Sequence, residues 1–181
     1  MKKIIFMIAA VLSLIFFDGS VLFERYIILP VTKPQLINTE ARKTHLPPMR
    51  EIPIEYKTII DKAATETEIP IEIISAILQR ESRFSPGAQS PIRENGHRDM
   101  GICQFNSQYI NWYSERYNGG VVFDPMDAEK AIPVMARHIK WLFERYGHWP
   151  DVIMAYNAGF TRIDSGNIPD SAWDYLLKIY E

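Results

Sequence analysis

Cysteine is nearly missing from this 181-residue chain: Cys103 is its only one. An intrachain disulfide, CxxC redox chemistry and a thiolate zinc cluster are therefore all excluded. The four histidines, His45, His97, His138 and His148, stand too far apart for paired-ligand spacing, and no HExxH occurs. There is no Gly-rich phosphate loop and no Ser/His/Asp arrangement, so no cofactor is expected. Positive charge is not in excess either: 20 Lys and Arg face 22 Asp and Glu. Residues 1–53 carry seven bases and four acids, which leaves thirteen against eighteen, a net of −5, for residues 54–181. A general nucleic-acid binder needs the opposite sign. No stretch alternates at period two for long enough to require a large sheet, and no repeat is present.

What the chain does have begins at its amino terminus. Lys2 and Lys3 precede an apolar run from Ile4 to Phe17, the basic and hydrophobic regions of an export signal. No A-x-A-like cleavage site follows, and Ile4 to Phe23 approaches the ~20 residues that span a bilayer. Residues 1–29 are thus expected to be a signal peptide or a signal anchor in the inner membrane, with the rest in the periplasm or envelope. The lack of a nearby cysteine excludes a lipoprotein anchor. Residues 30–53 hold five of the twelve prolines and no sustained apolar period, the composition of an extended tether.

From Ile54 the pattern turns helical. Tyr56, Ile59, Ile60 and Ala63 recur on one face, and Pro70 opens a second run through Ile74, Ile77 and Leu78. A loop-rich stretch from Ser85 to about Asp99 follows, then a helix expected over Phe105–Tyr117 that stops at Asn118-Gly119-Gly120. Ile132, Met135, Ala136, Ile139, Leu142, Phe143 and Tyr146 form a wide apolar stripe ending at Gly147, with Pro133 marking a kink or the true start. Val152, Ile153 and Tyr156 predict a short helix to Gly159; Trp173, Leu176, Leu177 and Tyr180 predict a last one. His138 is read as a surface or boundary residue of the long helix, and most of the tryptophans as core. The expected domain, 54–181, is mainly α.

Glu81 lies three, four and seven residues after Leu78, Ile77 and Ile74, which puts its carboxylate on the apolar face of its helix. Taken out of water, such a carboxyl holds its proton to higher pH and becomes a candidate general acid. On periodicity alone the plainer explanation stands ahead: a charge at the helix rim, or one paired with Arg80, Arg83 or Arg98. Ser82, Ser90, Gln104, Asn106, Tyr156, Asn157 and the Gly101 backbone offer uncharged hydroxyl, amide and peptide groups that suit an N-acetylated sugar, provided the fold gathers them around Glu81.

Three ordered blocks carry a resemblance. Glu81-Ser82-Arg83-Phe84-Ser85-Pro86-Gly87-Ala88-Gln89-Ser90, Met100-Gly101-Ile102-Cys103-Gln104-Phe105-Asn106 and Ala155-Tyr156-Asn157-Ala158-Gly159 resemble the E-S-x-F-x-P-x-A-x-S, G-L-M-Q-I and A-Y-N-A-G motifs of the lytic transglycosylase (SLT) family. The resemblance implies a lysozyme-like (goose-type) fold and an enzyme that cleaves the β-1,4 bond between N-acetylmuramic acid and N-acetylglucosamine of peptidoglycan. It implies Glu81 as sole acid and base, 1,6-anhydromuramic acid as product, and Ser90, Gln104 and Tyr156 around the acid and the sugar. By the same analogy Asn106 contacts substrate, Asn157 and Gly159 shape the last motif's turn, and Ser82 is a helix-end contact. A short exported single-domain chain looks most like members that serve secretion or conjugation machines, whose components would be partners.

Two departures stand out. Ile102 and Cys103 replace Leu and Met, and the loop from Pro91 to Asp99 is longer than the common form and charged. Asp99 in particular raises the question of a second carboxylate, which would permit ordinary hydrolysis. A lysozyme-type hydrolase and a peptidoglycan-binding assembly component without turnover are the competing readings.

Overall fold

A computed structural model describes residues 46–181. The expected signal or anchor (1–29) and residues 30–45 of the expected tether lie outside the described residues. The tether reaches them only at 46–53, and there the chain is docked rather than free. Leu46 and Ile52 pack on the core, and the Arg50 guanidinium donates to the Ile179 carbonyl at 2.9 Å.

Among the described residues the architecture is helical. α1 (Ile54–Thr67) and α2 (Ile71–Ser82) are followed by two short strands, β1 (Asp99–Met100) and β2 (Phe105–Asn106). A 3-10 turn (Ser107–Tyr109) leads into α3 (Ile110–Tyr117), α4 (Ala128–Tyr146), α5 (Trp149–Ala158), α6 (Phe160–Asp164) and α7 (Asp170–Tyr180). α4 is the central column, with α1, α3 and α5 against it; α7 closes over α5 and α2. No helix among the described residues is long and apolar enough to cross a membrane.

Several boundaries have clear causes. Pro53 and Pro70 sit at the N-caps of α1 and α2, where no backbone donor is needed. α4 starts at Ala128, with the Asp127 side chain accepting from the Glu129 amide at 3.1 Å, so Pro133 lies inside the helix. An internal proline costs about 3 kcal/mol. Burial of a single Ile or Leu returns about 1.5–3 kcal/mol, and Ile132, Met135, Ile139 and Leu142 are all fully buried along this helix.

The expected helix over Phe105–Tyr117 begins only at Ile110; its first five residues form β2 and the 3-10 turn. β1 and β2 pair antiparallel, Asp99 opposite Asn106 and Met100 opposite Phe105. Strands of two residues carry no readable period. In α7 the buried face is Ala172, Tyr175, Leu176 and Ile179, whereas Trp173 and Leu177 are exposed, one position off the expected stripe. His138 is likewise not at the surface: it is 4% exposed inside an aromatic cluster.

Candidate active site

The helix that carries Glu81 ends abruptly, and that ending builds the site. Arg83 (φ 55°) and Phe84 (φ 61°) both adopt left-handed backbone, a conformation that costs a non-glycine residue about 1–2 kcal/mol. Three contacts hold it: the Arg83 amide donates to the Gln79 carbonyl at 3.1 Å, the Ser85 amide to the Ser82 carbonyl at 3.1 Å, and Phe84 is buried. Ser82 reinforces the stop, with its Oγ donating to the Ile102 carbonyl at 2.8 Å. Glu81 is thereby left in the last turn of α2, facing a cleft of about 650 Å3.

The second block is a tight turn on the other wall. Gly101 (φ 75°) and Gln104 (φ 49°) reverse the chain between β1 and β2, and the Gly101 amide donates to the Ala88 carbonyl at 2.8 Å. Gln104 Nε2 donates to the carbonyls of Ala88 (3.1 Å) and Gly101 (2.8 Å), so its Oε1 is the acceptor left to the cleft. Asn106 Oδ1 accepts from the Gln108 amide at 2.9 Å, which leaves Nδ2 as donor. From the third block, on α5, the Tyr156 hydroxyl donates to the Cys103 carbonyl at 2.8 Å, tying α5 to the turn.

Glu81, Gln104, Asn106, Tyr156 and Asn157 line this cleft together. Ser90 and Gly101 do not. The Ser90 Oγ accepts from the Asp99 amide at 2.9 Å and donates to the Pro91 carbonyl at 3.2 Å, and Gly101 is buried behind the turn. Both shape the wall from behind it. The cleft's far end is aromatic: Tyr109, Trp112, Tyr113 and Phe160 join its lining, and the Trp112 and Phe160 rings stack at 6.2 Å and 19°. His138, 3.1 Å from the Tyr117 hydroxyl, has its pKa lowered to about 3 by burial and then by Arg116, and stays neutral.

Glu81 is the perturbed acid. Its pKa is raised to about 7, first by burial; the Tyr175 hydroxyl opposes this, Asp99 adds to it and Arg80 opposes it. Tyr175 donates to Glu81 Oε1 at 2.6 Å from 94 positions downstream, on α7. Sequence reasoning missed this partner. Its one signal was a phenol on the same face as Ala172 and Ile179, where a buried hydroxyl requires an acceptor. Because that bond favours the charged form, Tyr175→Phe is expected to move Glu81 titration, and the alkaline limb of any activity it supports, to higher pH. A pH-rate profile with an unmoved limb would exclude the coupling.

Asp99 also lines the cleft, but its carboxylate is gripped by both arms of Arg93, one at 3.0 Å and one shorter. Among the described residues no cluster of His, Cys, Asp and Glu could hold a metal ion. The site therefore presents one proton-holding carboxyl, amide and phenol groups, and an aromatic wall. The family model for the transglycosylase SLT domain matches residues 58–168. This chain belongs to that family. The SLT family is that of the lytic transglycosylases, and its substrate is peptidoglycan. The match covers all three motif blocks of this SLT domain and stops before α7, so Tyr175 lies beyond it. No curated protein matches the chain.

Proposed function

We propose that this SLT domain is a lytic transglycosylase that cleaves the β-1,4 bond from N-acetylmuramic acid to N-acetylglucosamine, with Glu81 acting twice. The observation that carries the reading is a desolvated glutamic acid, pKa about 7, at the edge of a glycan-sized cleft. At neutral pH a large share of it is protonated, the state a general acid must occupy. Glu81 gives its proton to the departing glycosidic oxygen as the C1–O bond breaks. The resulting carboxylate then takes the proton from the muramic acid C6 hydroxyl as O6 bonds to C1. The ring closes to the 1,6-anhydro sugar, Glu81 regains a proton, and no water is consumed.

Gln104 Oε1, Asn106 Nδ2, Tyr156 and Asn157 are assigned to the sugars, with Ser90 and Gly101 supporting the turn from behind. The N-terminal Lys2–Phe17 segment supports export to the periplasm, and the Ile4–Phe23 length supports retention on the inner membrane. Local opening of the wall for an envelope-spanning secretion or conjugation apparatus is the role proposed for an exported domain of this kind.

A lysozyme-type hydrolase is the competing reading, because Asp99 shares the cleft. The Arg93 fork occupies its oxygens, which argues against Asp99 as a water-activating base. Asp99→Asn decides between them. Under the proposed route the variant still yields anhydro-muramyl ends on sacculi, and its alkaline limb moves to lower pH, since Asp99 raises the Glu81 pKa. Reducing-end products that vanish in Asp99→Asn would establish hydrolysis instead. A chain that only binds sacculi, with no product of either kind, would remove the enzyme reading.

A further inference from the structure

Behind α2, apart from the catalytic cleft, lies a second groove of about 230 Å3 lined by Arg50, Gln79, Arg80, Arg83, Lys178 and Glu181 together with Ala76. Four of these side chains are cations and one is an anion, in a domain whose overall charge is negative. None of the four cations makes an ion pair among the described residues. Arg50 is the most telling. It is only partly exposed, one nitrogen is fixed on the Ile179 carbonyl at 2.9 Å, and its Nε is buried with no acceptor. The sealed Nε can reach no ligand itself, but a buried cation without a counter-charge is costly, and an anion in the groove offsets part of that cost at a distance.

Helix ends offset part of this charge. α2 and α7 both terminate here, and each C-terminus contributes about half a negative charge. Together with the side-chain and terminal carboxylates of Glu181 they leave roughly one positive charge uncompensated. We propose that this groove binds a compact oxyanion, and that the bound anion communicates electrostatically with Glu81 through Arg80. The route is short. Arg80 precedes Glu81 in the chain, and its guanidinium lies 5.8 Å from the centroid of the Tyr175 ring, whose hydroxyl bonds Glu81. Glu81 also feels Asp99 from the loop side, raising its pKa, while Arg80 lowers it. An anion on Arg80 weakens the one guanidinium among the described residues that favours the Glu81 carboxylate, so Glu81 should keep its proton to higher pH. Any consequence for cleavage rests on Glu81 being the acid.

Inorganic phosphate is the probe, titrated into the full chain at constant ionic strength with sodium chloride as control. Amide resonances of residues 79–83 and 178–181 are followed, together with the Glu81 carboxyl 13C shift. Saturable groove shifts and an upward move of the Glu81 midpoint are expected, both lost in the Arg83→Gln, Lys178→Gln double variant. That variant should keep wild-type cleavage without phosphate. Succinate in the same titration separates a carboxylate source from a phosphate source; saturation by either supports the site. Linear shifts, equal shifts with chloride, persistence in the double variant, or an unmoved Glu81 midpoint would overturn the proposal. Failure of the transglycosylase reading would appear elsewhere, as undiminished cleavage by Glu81→Gln, and would leave this titration unaffected.

Discussion

Glu81→Gln is expected to keep the helical fold and to lose cleavage of sacculi by about 10³-fold or more, since one positioned acid or base contributes about 10²–10⁴ and this group serves as both. The amide keeps the shape and still accepts from Tyr175, but it has no proton to give and cannot take one from the C6 hydroxyl. Muropeptide analysis measures the loss, and activity near that of the wild type would sink the mechanism. Stability should change in the opposite sense. The native Glu81 pKa is raised from 4.5 to about 7, so the folded state holds a proton over that window that the unfolded chain has released. The contribution of Glu81 to stability therefore falls as pH rises from about 4.5 to 7, while His138, with its pKa lowered from 6.5 to about 3, contributes in the opposite sense below 6.5 in wild type and variant alike. The Glu81 shift corresponds to at most about 3 kcal/mol, less whatever the water in the cleft screens. Glu81→Gln should match the wild type in urea unfolding at pH 4 and exceed it at pH 8.

Gly101→Ala is the other substitution with a large expected effect. A Cβ at this position would stand 1.8 Å from the Pro125 carbonyl oxygen and 2.6 Å from its carbon, both backbone atoms. The φ of 75° adds strain for any side chain. Neither wall can yield cheaply: Pro125 is buried, and the turn is held by the bonds from Gly101 to Ala88 and from Gln104 to Gly101. The expected loss exceeds about 4 kcal/mol, a range in which overpacking and strain at a special φ/ψ are among the few recognised causes. It should appear as loss of the cooperative thermal transition or a large fall in its midpoint. Gly87→Ala is the control, because a Cβ there meets nothing within 4 Å. Equal stability of the two variants would show that the turn relaxes.

The helices were legible because their signal is local. The stripe ending at Gly147 announces α4, the apolar period from Ile54 announces α1, and Pro70 announces the start of α2. Glu81 was legible for the same reason, as a carboxylate on an apolar face, and the motif blocks supplied Gln104, Asn106, Tyr156 and Asn157. The strands were not, because β1 and β2 are two residues each and exist through the reversal at Gly101 and Gln104. The face of α7 was misjudged by one position, because a short helix carrying Trp173 and Leu177 as well as Tyr175 and Leu176 has more than one plausible stripe. His138 was placed at the boundary, since a polar residue in an amphipathic helix gives no sign that aromatic rings from α3 and α5 will cover it.

By itself the sequence determined that this is a helical SLT domain with one candidate acid, because apolar period and ordered motifs are properties of neighbouring residues. Only the tertiary structure decided what that acid touches. Tyr175 is 94 positions from Glu81, Arg93 reaches Asp99 across the loop, and Ser90 stands behind the wall instead of in it. A carboxyl pKa is set by the solvent and charges within a few ångströms, and those neighbours are chosen by packing between distant segments.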